Sequence, residues 1–210
     1  MVVNSLQIVY TKLKREGGSY MPLLKQNCYT IDDIYALPEG ARAELIEGEL
    51  YNMAPPSRKH QEIVTFFTKT IGNYLDGRKG MCKVYPAPFA VFLKTEKDDD
   101  QNSDYSNYVE PDISVICDPG KLNERGCVGA PDWVIEVVSP SSRKIDYYLK
   151  LTLYQMNGVR EYWIVDPERK IIIVYDFEHM APAALYRFSD KVNVNIYDSL
   201  VIDFGKIELD

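Results

Sequence analysis

Short apolar runs alternate with polar breaks along most of the chain, and the spacing inside each run predicts its element. From His60 onward, His60, Ile63, Val64, Phe67, Ile71, Tyr74 and Leu75 recur at helical spacing, so "PPSRKHQEIVTFFTKTIGNYL" reads as one helix with Ser57 as its cap. "TIDDIYALP" reads as a shorter helix capped by Thr30 and ended by Pro38. "AELIEGELYNM" is two short strands around a turn at Glu47-Gly48. "MCKVYPAPFAVFL" is a strand interrupted by prolines, hence an edge or bulged strand. "EPDISVICD" and "PDWVIEVV" are two further strands. A helix from Ile145 to Asn157, stopped by Gly158, follows them. "EYWIVDPERKIIIVYD" is a hairpin whose turn opens at Asp166-Pro167, and the tail from "ALYRF" through "VNVNIYDSLVIDF" adds short strands. Strand, strand, helix, strand, strand is the order of a mixed α/β sheet with helices packed on it.

The length of 210 residues suits one domain, taken as 27–210, behind an N-terminal extension of residues 1–26 with weak pattern. Hydrophobic residues make up 46%, enough for a full core without disulfides. No apolar run approaches membrane-spanning length. The first residues place their apolar stretch ahead of their basic ones, the reverse of a signal peptide, so a soluble cytoplasmic protein with no membrane partner is expected. A net charge of -7 argues against binding nucleic acid by bulk electrostatics, although it leaves room for a local basic cleft. The 4 cysteines form no C-x-x-C pair and there are only 2 histidines, so any metal must be held by oxygen. Asp98, Asp99 and Asp100 lack the spacing and glycine of a calcium loop and read as solvated charge in a mobile loop.

The chemistry concentrates at Glu136, a carboxylate inside the apolar run Trp133 to Val138. Burial disfavours its charged form, so it needs a partner: a lysine or arginine, backbone donors, or a metal ion. Side chains alternate along a strand, so Asp132, Val134, Glu136 and Val138 share one face. On the preceding strand Asp112 lies on the face of Ser114 and Ile116, and it converges with Glu136 if the two strands are neighbours. Two adjacent carboxylates repel unless a cation lies between them, and Mg²⁺ takes oxygen ligands of this kind. On the following helix Asp146, Lys150 and Asn157 form a polar stripe between two apolar zones, with Tyr154 in one of those zones. That stripe is either an exposed pair worth a few tenths of a kcal/mol or the element that brings Lys150 to the carboxylates.

"VEPDISVICD", "GAPDWVIEVVSPSS", "DYYLKLTLYQMNGVREYWIVDPE" and "AELIEGELYNMAPPSRKHQEIV" together resemble the Uma-type restriction endonuclease family, a branch of the PD-(D/E)xK nuclease superfamily. The resemblance implies a restriction-endonuclease-like core, a central mixed β-sheet flanked by helices, with extra N-terminal and C-terminal strands. It implies Mg²⁺-dependent (or Mn²⁺-dependent) hydrolysis of DNA phosphodiesters, with Asp112 and Glu136 as metal ligands and Lys150 as the third catalytic residue. The common superfamily lysine, two residues after the glutamate, is Val138 here; the Uma-type pattern places a lysine on the next helix, which matches Lys150. Asp146 then orients Lys150, and Glu44 is an extra acid for which Glu47 and Glu49 compete. His60 reads first as a core histidine bonded to a backbone carbonyl and, by the resemblance, as a supporting group near the site. Superfamily analogy implies a homodimer. Two other readings stay open: a nuclease-fold module that binds nucleic acid or protein without catalysis, and an ordinary domain in which Glu136 simply pairs with Lys150.

Overall fold

The computed structural model describes residues 28–78, 80–94 and 105–207, together with a two-residue antiparallel pairing of β1 (Tyr10–Thr11) with β2 (Leu23–Leu24). The rest of the expected N-terminal extension lies outside the described residues, as do Asp98, Asp99 and Asp100.

α1 (Ile31–Tyr35) begins at Thr30, whose N–H donates to Asp33 Oδ2 at 2.7 Å. β3 (Ala43–Ile46) and β4 (Glu49–Asn52) form the expected hairpin. Glu47 and Gly48 turn it at φ of 51° and 80°, a left-handed pair that matches the twist of the flanking strands. In α2 (Arg58–Arg78) the Ser57 hydroxyl accepts from His60 N at 3.2 Å. Its buried stripe is Ile63, Val64, Phe67, Ile71 and Leu75, as the spacing predicts.

"MCKVYPAPFAVFL" is two strands rather than one: β5 (Lys83–Pro86) and β6 (Val91–Leu93), in different sheets. Prolines cannot donate to a ladder, so the chain leaves one sheet at Pro86 and enters the other after Pro88. Then come β7 (Asn107–Val109), β8 (Ile113–Ile116), β9 (Leu122–Asn123), β10 (Gly126–Val128) and β11 (Trp133–Val137). The helix expected over Ile145 to Asn157 opens with a π-helical turn, Ile145–Leu149, and continues as α3 (Lys150–Asn157). Gly158, at φ 85°, ends it. β12 (Glu161–Asp166) and β13 (Ile171–Asp176) form the long hairpin; β14 (Ala184–Arg187), β15 (Lys191–Asn193) and β16 (Val201–Asp203) complete the chain.

The architecture is mixed α/β, with two six-stranded sheets. The central sheet runs β14-β13-β12-β11-β8-β5; the second runs β4-β3-β7-β6-β10-β9. β11 pairs parallel with β12 and antiparallel with β8. A parallel pair requires a crossover, and the π turn with α3 supplies it. One face of the central sheet carries Trp133, Ile135 and Val137 against α2 and the C-terminal segment around Phe204. Trp133 and Trp163 meet edge-on there with centroids 5.1 Å apart, a contact worth about 0.5–1.5 kcal/mol beyond its burial. The other face carries Val134 and Val138 against α3 and the second sheet. Both faces are covered, so every residue of β11 is buried, and Glu136 lies with Val134 on the side facing α3.

A disulfide joins Cys82 to Cys117, although the hydrophobic content alone called for none. Lys83 pairs with Ile116 in the β5–β8 ladder, and the two cysteines occupy its next step.

Candidate active site

The carboxyl ends of β11 and β12, the amino end of β8, α3, the start of α2 and the hairpin strand β3 converge on one cleft of about 850 Å³. Its lining includes Glu44, His60, Asp112, Glu136, Asp146 and Lys150, all six residues marked in the sequence. Asp112 precedes β8 and Glu136 lies on the neighbouring β11; Ile113 pairs with Ile135, so the two acids occupy the next step of the register. The Asp112 N–H points to Glu136 Oε2 at 3.4 Å.

Lys150 is the hub. Its ammonium lies 2.9 Å from Glu44 Oε1, 2.9 Å from Glu136 Oε1 and 3.7 Å from Asp146 Oδ1, with its side chain 5% exposed. The polar stripe of the helix thus faces inward. Its third member, Asn157, instead ties Lys94, accepting from its N–H and donating to its carbonyl. The π turn precedes Lys150, whose N–H reaches back to Ile145 O, and such turns recur at functional sites. Burial alone would push the Lys150 amine down; Glu136, Glu44 and Asp146 outweigh it and hold it well above its ordinary range, so it stays charged.

Burial pushes the Glu136 carboxyl well up, Lys150 pulls it down, and Asp146, Asp112 and Glu44 push it up again. The hydrogen bonds are nonetheless those of a carboxylate, because Lys150, Tyr154 and the Asp112 N–H all donate to it. Asp146, 2% exposed, is raised from 3.8 to about 6 by burial, against the pull of Lys150 and a hydrogen bond from Ser142. Asp112 Oδ2 accepts from Val137 N at 2.8 Å and faces His60 Nε2 at 3.1 Å. The close partner of His60 is therefore this carboxylate, and the Val137 backbone beside it adds the backbone contact expected for a core histidine. Burial lowers the imidazole and the Asp112 contact outweighs it, so His60 titrates above its usual range. Its Nδ1 is buried without a hydrogen-bond partner among the described residues.

Among the three acids of the hairpin, Glu44 is the one at the site: it is buried, bonds Lys150 and accepts from Glu110 N at 2.9 Å. Glu47 and Glu49 are outside it, and Glu49 accepts instead from Tyr51. The "SPSS" segment binds itself, with Ser139 Oγ 3.0 Å from both Ser141 and Ser142 hydroxyls, on the cleft wall. Two residues not singled out from the sequence belong here. Tyr154 donates to Glu136 Oε1 at 2.7 Å; it lies four residues after Lys150, and that spacing was the available signal. Glu110 holds Arg42 at the cleft rim through an ion pair.

Four acids, Glu44, Asp112, Glu136 and Asp146, thus face one lysine and one histidine, a surplus of negative charge. Among the described residues no three His, Cys, Asp or Glu side chains form a ready-made cage for a cation. Mg²⁺ does not demand one: it binds through one or two carboxylates and keeps several waters. All-oxygen donors, surplus charge and an open cleft beside Asp112 and Glu136 fit such an ion.

Residues 31–201 match the family described as "Uma2: Putative restriction endonuclease". A curated relative from Synechocystis, "Uncharacterized protein slr1290", is 29% identical over 133 residues, 63% of this chain and 64% of that protein, so the match spans under two thirds of the relative's length. Among solved structures, "a putative nuclease belonging to DUF820" from Anabaena variabilis superposes with a TM-score of 0.61 at 22% identity, covering 80% of this chain and 89% of the other. That likeness is one of fold.

Proposed function

Because this chain belongs to the Uma2 family of restriction-endonuclease-like proteins, we propose that it is a metal-dependent endonuclease hydrolysing phosphodiester bonds of DNA. The convergence of Asp112, Glu136 and Lys150, all lining one cleft, carries the reading. Asp112 and Glu136 hold a Mg²⁺ or Mn²⁺ ion through their carboxylate oxygens. Such an ion, when bound, polarises the scissile phosphate and lowers the pKa of a coordinated water.

The remaining work belongs to the side chains. Lys150 presents a fixed positive charge toward the charge that develops on the phosphate, in a dry environment where such a charge acts strongly. Glu44 and Asp146 aim it, from β3 and from one helical turn away. Val138, at the usual lysine position, leaves this role to Lys150. His60 and the Val137 N–H hold Asp112 Oδ2 and so fix the carboxylate in place. Cleavage of both strands of a duplex calls for two such sites, so a homodimer is part of the proposal, and a cytoplasmic location is the compartment proposed for it. Among the described residues no helix is long and apolar enough to cross a membrane.

The tight seat of Lys150 between Glu44 and Glu136 favours a second reading, a nuclease-fold module that binds nucleic acid without cutting it. Incubation of DNA and of RNA with the protein in Mg²⁺ or Mn²⁺ separates the two. The endonuclease predicts DNA cleavage that EDTA and Glu136→Gln both abolish. Retention of DNA with no cleavage in either metal supports the module.

A further inference from the structure

The two oxygens of Glu136 are not equivalent. Oε1 receives both the Lys150 ammonium, at 2.9 Å, and the Tyr154 hydroxyl, at 2.7 Å. Among the described residues Oε2 receives only the Asp112 N–H, at a long 3.4 Å. Tyr154 is wholly buried, and its ring packs edge-on against Tyr162 with centroids 5.0 Å apart. That packing fixes the ring, and the ring in turn fixes where its hydroxyl points. Such a buried phenol needs an acceptor, and its acceptor is an acid of the cleft.

We propose that Tyr154 is a positioning residue for Glu136: with Lys150 it fills Oε1, locks the carboxylate about its terminal bond, and leaves Oε2 as the oxygen that binds the divalent cation beside Asp112. The inference rests on the metal-dependent reading above and names the atom that reading leaves open. It explains why one oxygen carries two strong donors while its twin, on the side of Asp112, carries a single weak one. It also gives the lysine a second role, since Lys150 and Tyr154 act on the same oxygen from adjacent turns of one helix. Partners of this kind, which orient a liganding carboxylate without touching the ion, change metal affinity about 10–100-fold when removed.

The test is a titration of the full chain with Mn²⁺ alone, followed by calorimetry, for the native protein, Tyr154→Phe and Tyr162→Phe. Tyr154→Phe keeps the ring and its packing and removes one hydroxyl. Tyr162→Phe is the structural control: it removes an equally buried hydroxyl from the same aromatic pair, one whose hydrogen bond among the described residues goes to Asp146 O, at 2.9 Å, and not to Glu136. Thermal melts run in parallel, and both variants should lose a similar few degrees. The expected result is Mn²⁺ binding weakened tenfold or more in Tyr154→Phe and changed less than twofold in Tyr162→Phe. Equal affinity in native protein and Tyr154→Phe overturns the inference, as does equal weakening in both variants, and either leaves the nuclease reading intact. Absence of Mn²⁺ binding by the native chain removes that reading and this inference with it.

Discussion

Replacing Lys150 by methionine keeps the length and apolar stem of the side chain and deletes its charge. Each of its two 2.9 Å contacts, with Glu44 and Glu136, is worth roughly 6 kcal/mol of attraction at an effective dielectric near 20. Most of that offsets the desolvation of the ions themselves. What the variant suffers is the abandonment of acids that are 5% and 4% exposed, and breaking a buried pair in this way costs about 3–5 kcal/mol. For a chain of this size that lowers Tm by about 6–20 °C. The loss also depends on pH. The ammonium is raised in the folded state, so its contribution is complete below the free amine's pKa, about 10.4, and constant from pH 5 to 8. In the variant, Glu136 loses the pull of Lys150 and is left to the burial that raises it, so it binds its proton more tightly folded than unfolded and stability falls as pH rises above about 4.3. Urea melts followed by tryptophan fluorescence at pH 5 and pH 8 should show the larger deficit at pH 8. A deficit under about 1 kcal/mol at pH 8, or the same deficit at both values, refutes the reasoning.

Asp146 is raised from 3.8 to about 6, so the stability it contributes is present near pH 4 and is lost as pH climbs to about 6. Asp146→Asn should flatten that slope and raise stability at pH 7.5 by on the order of 1–3 kcal/mol, read from the same urea melts; a variant weaker than native at both ends contradicts this. Gly126 sits at φ 141°, and a Cβ there would come within 2.2 Å of Ala90 O in the adjoining segment. Gly126→Ala should therefore cost more than about 3 kcal/mol in a thermal melt, and a neutral outcome would mean that this close approach is absent. The Cys82–Cys117 disulfide closes a loop with a sequence separation of 35, which predicts about 3–4 kcal/mol lost on reduction. A melt unchanged by dithiothreitol would count against the pairing.

The site was more legible in the sequence than the sheets that build it. A glutamate in a run of Trp, Val and Ile has one physical meaning, a buried acid with a partner, and the strand period of two then assigns its face. Asp112 followed from strand adjacency, and Asp146 with Lys150 from helical spacing of four. Glu44 could not be separated from Glu47 and Glu49, because a hairpin turns alternate residues to either side and only the packing of β3 against α3 selects one. The partner of His60 depends on how α2 docks on the central sheet, which no local pattern encodes. Tyr154 was hidden by chemistry: a tyrosine on an apolar stripe reads as core, and its ring is core while its hydroxyl is not. The disulfide required the β5–β8 register, set by long-range pairing across 35 residues. The proline-rich run concealed two strands because a break and a change of sheet leave the same local signature.

The central claim is that the surplus acids beside Lys150 are there to hold a divalent cation. Anomalous diffraction from crystals grown in Mn²⁺ addresses it directly. The account predicts one strong peak in the cleft, ligated by a carboxylate oxygen of Asp112 and by Glu136 Oε2, with Lys150 still bonded to Oε1. A cleft with no peak at saturating Mn²⁺, or an ion bound elsewhere with neither acid as ligand, would contradict it.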